Sequence, residues 1–399
     1  GASVLVPILF HINPSIVLLM NGIGTLLFIL ITKGKAPAYL GSSFAFLAPA
    51  GLVISKWGFP YALGGFIAVG FFMCLIALIV YKFGVAWIDI LLPAAAMGPV
   101  VALIGLELAS SAANTAGLLP ADGQAIDGKN VLVFLVTLSV AVFGNVLFRK
   151  FFAVIPILIA IISGYITALL CKLVTLDTIK AAMPPHFISL PALQTPKFNL
   201  QAILMLLPVI LVITSEHIGH QIVTSKIVDR DLLKNPGLHR SMFADGFSTM
   251  LSGFVGSVPT TTYGENIGVM AMTKVYSVQV IGGAAILSII ASFIGPVSAL
   301  IQTIPGPVIG GISFLLYGMI GASGIRVMVD AQVDYSKSRN LTLTSIIFVT
   351  GLSGVALKLG QVTLKGMVLA CIVGMLLSLL FYLFDRFGLT NDKDEDLEA

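Results

Sequence analysis

Pro259-Thr260-Thr261-Thr262-Tyr263-Gly264-Glu265-Asn266 is a polar, glycine-containing break set among apolar runs. An earlier segment echoes it: Pro37-Ala38-Tyr39-Leu40-Gly41-Ser42-Ser43-Phe44. At membrane depth neither stretch can be continuous lipid-facing helix, because each unpaired backbone group there costs several kcal/mol. Irregular backbone is tolerated in that setting only where it is buried in protein or lines a wet cavity. Paired interrupted spans at matching positions of two halves point to a transporter binding site. Half-helices starting near Ser43 and Glu265 would aim positive dipole ends and free N–H groups at one place, which suits a polar ligand bearing carbonyl oxygens.

The membrane setting follows from composition. Of 399 residues, 57% are apolar and 10% are charged, against about 25% charged in an average soluble domain. Repeated charge-free runs of about twenty residues match a hydrocarbon layer about 30 Å thick. The chain reads as an all-α polytopic membrane protein embedded in a lipid bilayer. The net charge of +4 is small and dispersed, so nucleic acid is not an expected partner. Cys74, Cys171 and Cys371 lie inside apolar runs without a disulfide or metal pattern. The chain begins at Gly1, already apolar and without Met, so the true N-terminus is expected upstream.

After a remnant first helix, apolar runs place spans near 16–32, 37–55, 60–81, 86–110, 131–148 and 153–173. A second set lies near 200–224, 241–257, 259–275, 277–298, 300–322, 341–358 and 364–386. The reading is of about fourteen spans. Fifteen of the 22 Lys and Arg fall in the even-numbered loops and the C-tail, which places those segments in the cytoplasm by the positive-inside rule. Seven spans per half would set the halves in opposite orientation, as two inverted seven-span repeats. A second echo supports the repeat. Pro93-Ala94-Ala95-Ala96-Met97-Gly98 opens the fifth span and Pro305-Gly306-Pro307-Val308-Ile309-Gly310 opens the twelfth.

Five acidic residues fall inside apolar spans: Asp89, Glu107, Glu216, Asp245 and Glu265. Each costs about 2.5–3.5 kcal/mol at the bilayer centre on insertion scales and therefore calls for a partner or a purpose. Asp89, beside Trp87, fits interfacial anchoring, and Glu107 divides between structure and gating. Glu216 and His220 are four apart and share one helix face, where a carboxylate and an imidazole can hold a proton between them. Gly219 leaves that face open, and the alternative is a buried pair that satisfies itself. His217 points elsewhere and reads as structural. Asp245 either meets Glu216 or His220 through water or bonds backbone. Glu265, at the unwound point, can accept ring N–H donors or cap the helix that follows. Phe44 and Tyr317 are the aromatic candidates for packing on a flat ring, with core packing as the plain alternative. Glu216-His217-Ile218-Gly219-His220 lacks the zincin order, in which Glu lies between the histidines. No metal and no cofactor are implied.

The string Glu265-Asn266-Ile267-Gly268-Val269-Met270-Ala271-Met272-Thr273-Lys274 resembles the signature of the nucleobase–ascorbate transporter (nucleobase:cation symporter) family. Its context Thr261–Asn266, together with Ala38–Phe46, Glu216–His220 and Pro236–Ala244, is similar to that of bacterial uracil permeases. This resemblance, which runs from Gly1 to about Asp385, implies short β-strands in the broken third and tenth spans. It implies a core domain from 1–83 and 200–299 and a gate domain from 84–199 and 300–388; the acidic tail at 389–399, expected in the cytoplasm by the positive-inside rule, lies beyond it. It further implies carboxylates at Glu216 and Glu265 accepting ring N–H bonds, backbone N–H groups at Phe44 and Gly264 meeting ring oxygens, and Tyr263 and Tyr317 close to the base. His220 would support proton coupling with Glu216 and Asp245. The implied activity is proton-coupled uracil import across a bacterial inner membrane by an elevator movement in a homodimer, a secondary active transporter and not an enzyme. A Gln-His pair common in the family's first helix would fall upstream of Gly1. The signature also admits a purine such as xanthine or urate. Sulfate- or bicarbonate-type anion exchange is disfavoured by two carboxylates, and an intramembrane hydrolase lacks a third ligand and a nucleophile.

Overall fold

The computed structural model describes residues 2–120, 125–360 and 362–390; from Asn391 onward the acidic tail lies outside the described residues. Among those described, seven helices are long and apolar enough to cross a membrane. They are Pro14–Ile31, Phe59–Phe83, Ala94–Thr115, Gly128–Leu147, Leu200–Val228, Gly306–Asp330 and Gly366–Arg386. Shorter apolar helices lie between them.

In chain order the principal helices are α1 (Ala2–Leu9), α2 (Pro14–Ile31), α3 (Leu47–Trp57), α4 (Phe59–Phe83) and α5 (Ala94–Leu106). They continue as α6 (Gly128–Leu147), α7 (Pro156–Leu170), α8 (Val209–Val228), α9 (Leu238–Val255) and α10 (Gly264–Thr273). The last are α11 (Val278–Ser292), α12 (Gly306–Asp330), α13 (Ser338–Leu352) and α14 (Gly366–Arg386). Strand β1 (Leu40–Ser42) precedes α3 and β2 (Thr260–Thr262) precedes α10, while β3 (Ala356–Leu359) and β4 (Val362–Lys365) lie between α13 and α14.

Local chemistry sets the boundaries. Asn13 Oδ1 accepts the Ser15 N–H at 2.9 Å ahead of Pro14 at the start of α2, and Asp127 accepts the Lys129 N–H at 2.9 Å to open α6. Both satisfy donors that a helix start leaves without acceptors. Where spans were drawn from charge, the helices differ. The twelfth, expected at 300–322, runs instead from Gly306 to Asp330. Arg326 and Asp330 pair at 3.4 Å one turn apart, so a helix that charge alone would end continues through them. The fifth breaks at Glu107, and the eighth is a short helix, Leu200–Leu206, that bends at Leu207-Pro208 into α8.

The surface is rich in large apolar side chains, and the mostly apolar core also encloses polar groups. Leu170 is 79% and Val146 is 77% exposed, whereas His217, Ser215 and Ser248 are fully buried. Polar groups turned inward and apolar groups outward fit a lipid surround. Helix α9 lies along α4 and α12 along α5. Both contacts are close: a Cβ at Gly246 would meet the Gly70 backbone, and one at Gly324 would meet the backbone of Gly98 and Ala102. Small residues at such crossings let helices approach where lipid supplies no hydrophobic drive. Helix α11 packs on α2, α6 on α7, and α13 on α14.

Strands β1 and β2 pair antiparallel, with Leu40 opposite Thr262, Gly41 opposite Thr261 and Ser42 opposite Thr260. The β3–β4 hairpin, in a segment read from sequence as the end of one span and the start of the next, pairs Ala356 with Lys365 and Leu359 with Val362.

Candidate functional site

Two chains leave their helices at the β1–β2 crossing, and their backbone groups are satisfied there by neighbours. Thr25 Oγ1 of α2 accepts the Leu40 N–H at 2.9 Å. Pro259 O accepts the Ser43 N–H at 2.9 Å. Thr249 Oγ1 of α9 donates to Thr260 O at 2.8 Å, and Ser248 and Thr260 share a hydroxyl bond of 2.6 Å. The Ser42 N–H donates to Tyr263 Oη at 2.9 Å, and that hydroxyl lies 3.4 Å from Ser3 Oγ of α1. The Tyr263 ring covers Gly41, where any Cβ would overlap it, so residue 41 must lack a side chain for the crossing to close.

Beyond the crossing each chain turns into helix. Phe44–Phe46 forms a single tight turn leading into α3, and Gly264 begins α10. The first intrahelical bond of α10 runs from the Ile267 N–H to Tyr263 O at 3.1 Å. The amides of Gly264 and Glu265 therefore lie in a first turn, where helical geometry supplies no acceptor. Two helix starts thus meet at the strand ends, each carrying partial positive charge.

A cavity of about 290 Å³ opens in front of them, near the lower end of the usual size for small-molecule sites. Its walls include Phe44, Glu216, His220, Tyr263, Gly264 and Glu265, with Ser323 and Arg326 of α12 opposite. Glu216 Oε2 and Glu265 Oε1 are buried without a hydrogen-bond partner among the described residues, which makes each a costly orphan acceptor. The His220 ring, 8% exposed, is tied through Nδ1 to Thr262 Oγ1 at 3.0 Å. Its Nε2 lies against Gly264, 3.3 Å from where a Cβ would stand.

Phe44 meets Tyr317 edge-to-face, with ring centroids 5.5 Å apart. Tyr317 thus backs the Phe44 ring and does not itself line the cavity. Helices α5 and α12 run antiparallel, with Gly98 against Gly324 and Gly105 against Tyr317. Along α12 the buried Tyr317, 3% exposed, lies behind Phe44, and the cavity wall on this helix runs from Met319 to Arg326. The Arg326 side chain, 50% exposed, marks the open end. On that side Lys226 of α8 donates to Asp330 O of α12 at 2.7 Å. A second, much smaller cavity is lined by Pro49, Leu52, Met205, Glu107 and Met367.

Asp245 lies outside the cavity. Its Oδ2 accepts from Thr261 Oγ1 at 2.9 Å and lies 3.1 Å from His217 Nδ1. Ser241 Oγ donates to Leu238 O at 3.0 Å, so it accepts the Nε2–H of His217 at 2.9 Å. His217, read from sequence as structural, thus binds α8 to α9 and through Thr261 to β2. Glu107 Oε2 accepts the Met367 N–H at 2.9 Å and caps α14. Sequence reasoning did not single out Arg326 or Ser323. The Arg326/Asp330 spacing at the end of an apolar run was the available signal.

Residues 1–360 match the model of the permease family. The chain is 57% identical over 383 residues to a uracil permease of Escherichia coli (strain K12), covering 96% of this chain and 88% of that one. It is 44% identical over 389 residues to a uracil permease of Bacillus subtilis (strain 168), covering 95% and 89%. Among solved structures, the murine anion transporter Slc26a9 in the inward-facing state superposes with a TM-score of 0.71 at 11% identity, covering 96% of this chain and 66% of that one. The transmembrane domain of the cyanobacterial bicarbonate transporter BicA gives a TM-score of 0.57 at 14% identity, covering 96% and 95%. At such identities these two share the fold alone.

Proposed function

The chain belongs to the permease family, and from that premise we propose that it is a proton-coupled importer of uracil in a bacterial inner membrane. The observation that carries this reading is the pair of buried, unpartnered carboxylate oxygens, on Glu216 and Glu265, facing one small cavity beside two helix starts. A pyrimidine-dione ring presents N–H donors and carbonyl acceptors around one flat edge. The carboxylates accept the ring N–H groups in charge-assisted bonds, and the first-turn amides near Phe44 and Gly264 donate to the ring oxygens. Phe44, stiffened by Tyr317, packs on the ring face, and Tyr263 closes the strand side.

Glu216 and His220, one turn apart on α8, hold the proton that travels with the base. With the proton bound, the site carries less negative charge and takes uracil tightly; its loss on the cytoplasmic side releases the base. Asp245 supports this site through Thr261 and His217. The base-binding groups sit just beyond β1 and β2 and on α8 and α10, whereas the facing wall belongs to α5 and α12. We read this as a core of 1–83 and 200–299 moving as an elevator against a gate of 84–199 and 300–388, each chain built of two inverted seven-span repeats and two such chains forming a homodimer. The cavity's open end at Arg326 then faces the cytoplasm, as do the even-numbered loops and the C-tail. Two carboxylates at the site oppose an anion as cargo.

Labelled uracil uptake into energised vesicles tests the reading. Glu216→Gln and Glu265→Gln should each abolish accumulation, and proton-driven uptake retained in both variants would sink it. Competition by excess xanthine would redirect the assignment to a purine.

A further inference from the structure

The His220 ring is held at one nitrogen by strand β2 and left open at the other. Nδ1 shares a 3.0 Å bond with Thr262 Oγ1, the hydroxyl of a residue fixed in register opposite Leu40. Nε2 points at Gly264, where the missing side chain leaves the ring room beside the Gly264–Glu265 turn. A hydroxyl is suited to this place because it both donates and accepts. When the ring carries its proton on Nε2 alone, Thr262 O–H donates to Nδ1. When Nδ1 is protonated, in the neutral ring or the imidazolium, the same oxygen accepts from it. The ring therefore keeps one orientation through every protonation state. The charged groups around it are Glu216 on the same helix, Glu265 on α10 and Arg326 on α12, with the His217–Asp245 pair behind β2.

We propose that Thr262 is a positioning residue that fixes the His220 ring so that Nε2 is the nitrogen through which His220 exchanges its proton with the cavity. The hydroxyl follows each change of protonation by rotating, and the ring does not flip. This rests on the uracil–proton reading of the site, since a ring that never exchanged a proton would need no such partner.

Proteoliposome uptake of labelled uracil, measured against substrate concentration at a series of pH values, tests it in the wild type, Thr262→Ser and Thr262→Val. Thr262→Val keeps the shape and loses the hydroxyl. It should raise KM about fivefold, the worth of one lost hydrogen bond, and change the form of the pH profile. Thr262→Ser should restore both towards wild type. Should Thr262→Val also lower thermal stability, the His220→Ala background decides by equilibrium binding of labelled uracil to detergent-purified protein, because there the valine must have no further effect on Kd. A Thr262→Val protein with the wild-type pH profile overturns the proposal, whether or not KM changes. So does an equal effect of valine on Kd in the His220→Ala background. A wild type that accumulates no uracil refutes the transport reading instead, so the two failures are distinguishable.

Discussion

Replacing Gly41 with alanine is the most local way to disturb the strand crossing. The added methyl would overlap Cζ, Cε2 and Oη of Tyr263, so that ring, 8% exposed, can yield only by giving up its packing or by entering the cavity it lines. Forcing an extra carbon into such packing costs about 1–3 kcal/mol. Displacing the ring also breaks the 2.9 Å bond from the Ser42 N–H, leaving a buried donor unsatisfied at about 1–3 kcal/mol. The combined loss is about 2–6 kcal/mol, a large share of the 5–15 kcal/mol that holds a typical fold. Thermal unfolding in detergent, with and without saturating uracil, should show Gly41→Ala melting well below wild type and gaining less from uracil. Adding Tyr263→Ala to Gly41→Ala removes the clash, so the two losses should fall short of additive. Wild-type melting and uptake in Gly41→Ala would refute the reasoning, because the ring would then not be wedged over the strand.

Other perturbations probe the surroundings of the site. Asp245→Ala strips His217 and Thr261 of their shared acceptor and should cost about 3–5 kcal/mol, as breaking a buried pair does. Asp245→Asn keeps an oxygen for Thr261 and should cost less, the two being compared by thermal unfolding. Glu107→Ala removes the acceptor for the Met367 N–H and should lower stability by about 1 kcal/mol, in line with loss of a helix cap. Slower hydrogen exchange at Met367 than in the wild type would contradict that role.

Much of the site was legible because breaks in a membrane chain are expensive. The Pro37–Phe44 and Pro259–Asn266 echoes marked two places where helix could not continue, and the structure brings them into one antiparallel pair. Glu216 and His220 were legible from spacing alone, since four residues return a helix to the same face. The His217–Asp245 pair was not, because its partners sit on different helices and no periodicity links positions 217 and 245. Tyr263 illustrates the same limit. Its place beside the site was visible, but not that its hydroxyl would receive the Ser42 N–H. The full length of α12 was hidden by its own charges. The hairpin at Ala356–Lys365 was hidden by apolar residues that also fit helix ends.

The pairing of Leu40 with Thr262 has a bearing on how the protein is made. When β1 leaves the ribosome, its partner strand is still roughly 220 residues away, which is tens of seconds at about 5–20 residues per second. For that interval the backbone of Leu40–Ser42 lacks its ladder, in an environment where each open group is costly. The nascent first half must therefore keep this stretch near water or lean on temporary partners such as the insertion machinery. A product truncated before Thr260 would carry Phe44 but no cavity. The cavity therefore exists only once the second half of the chain has been made.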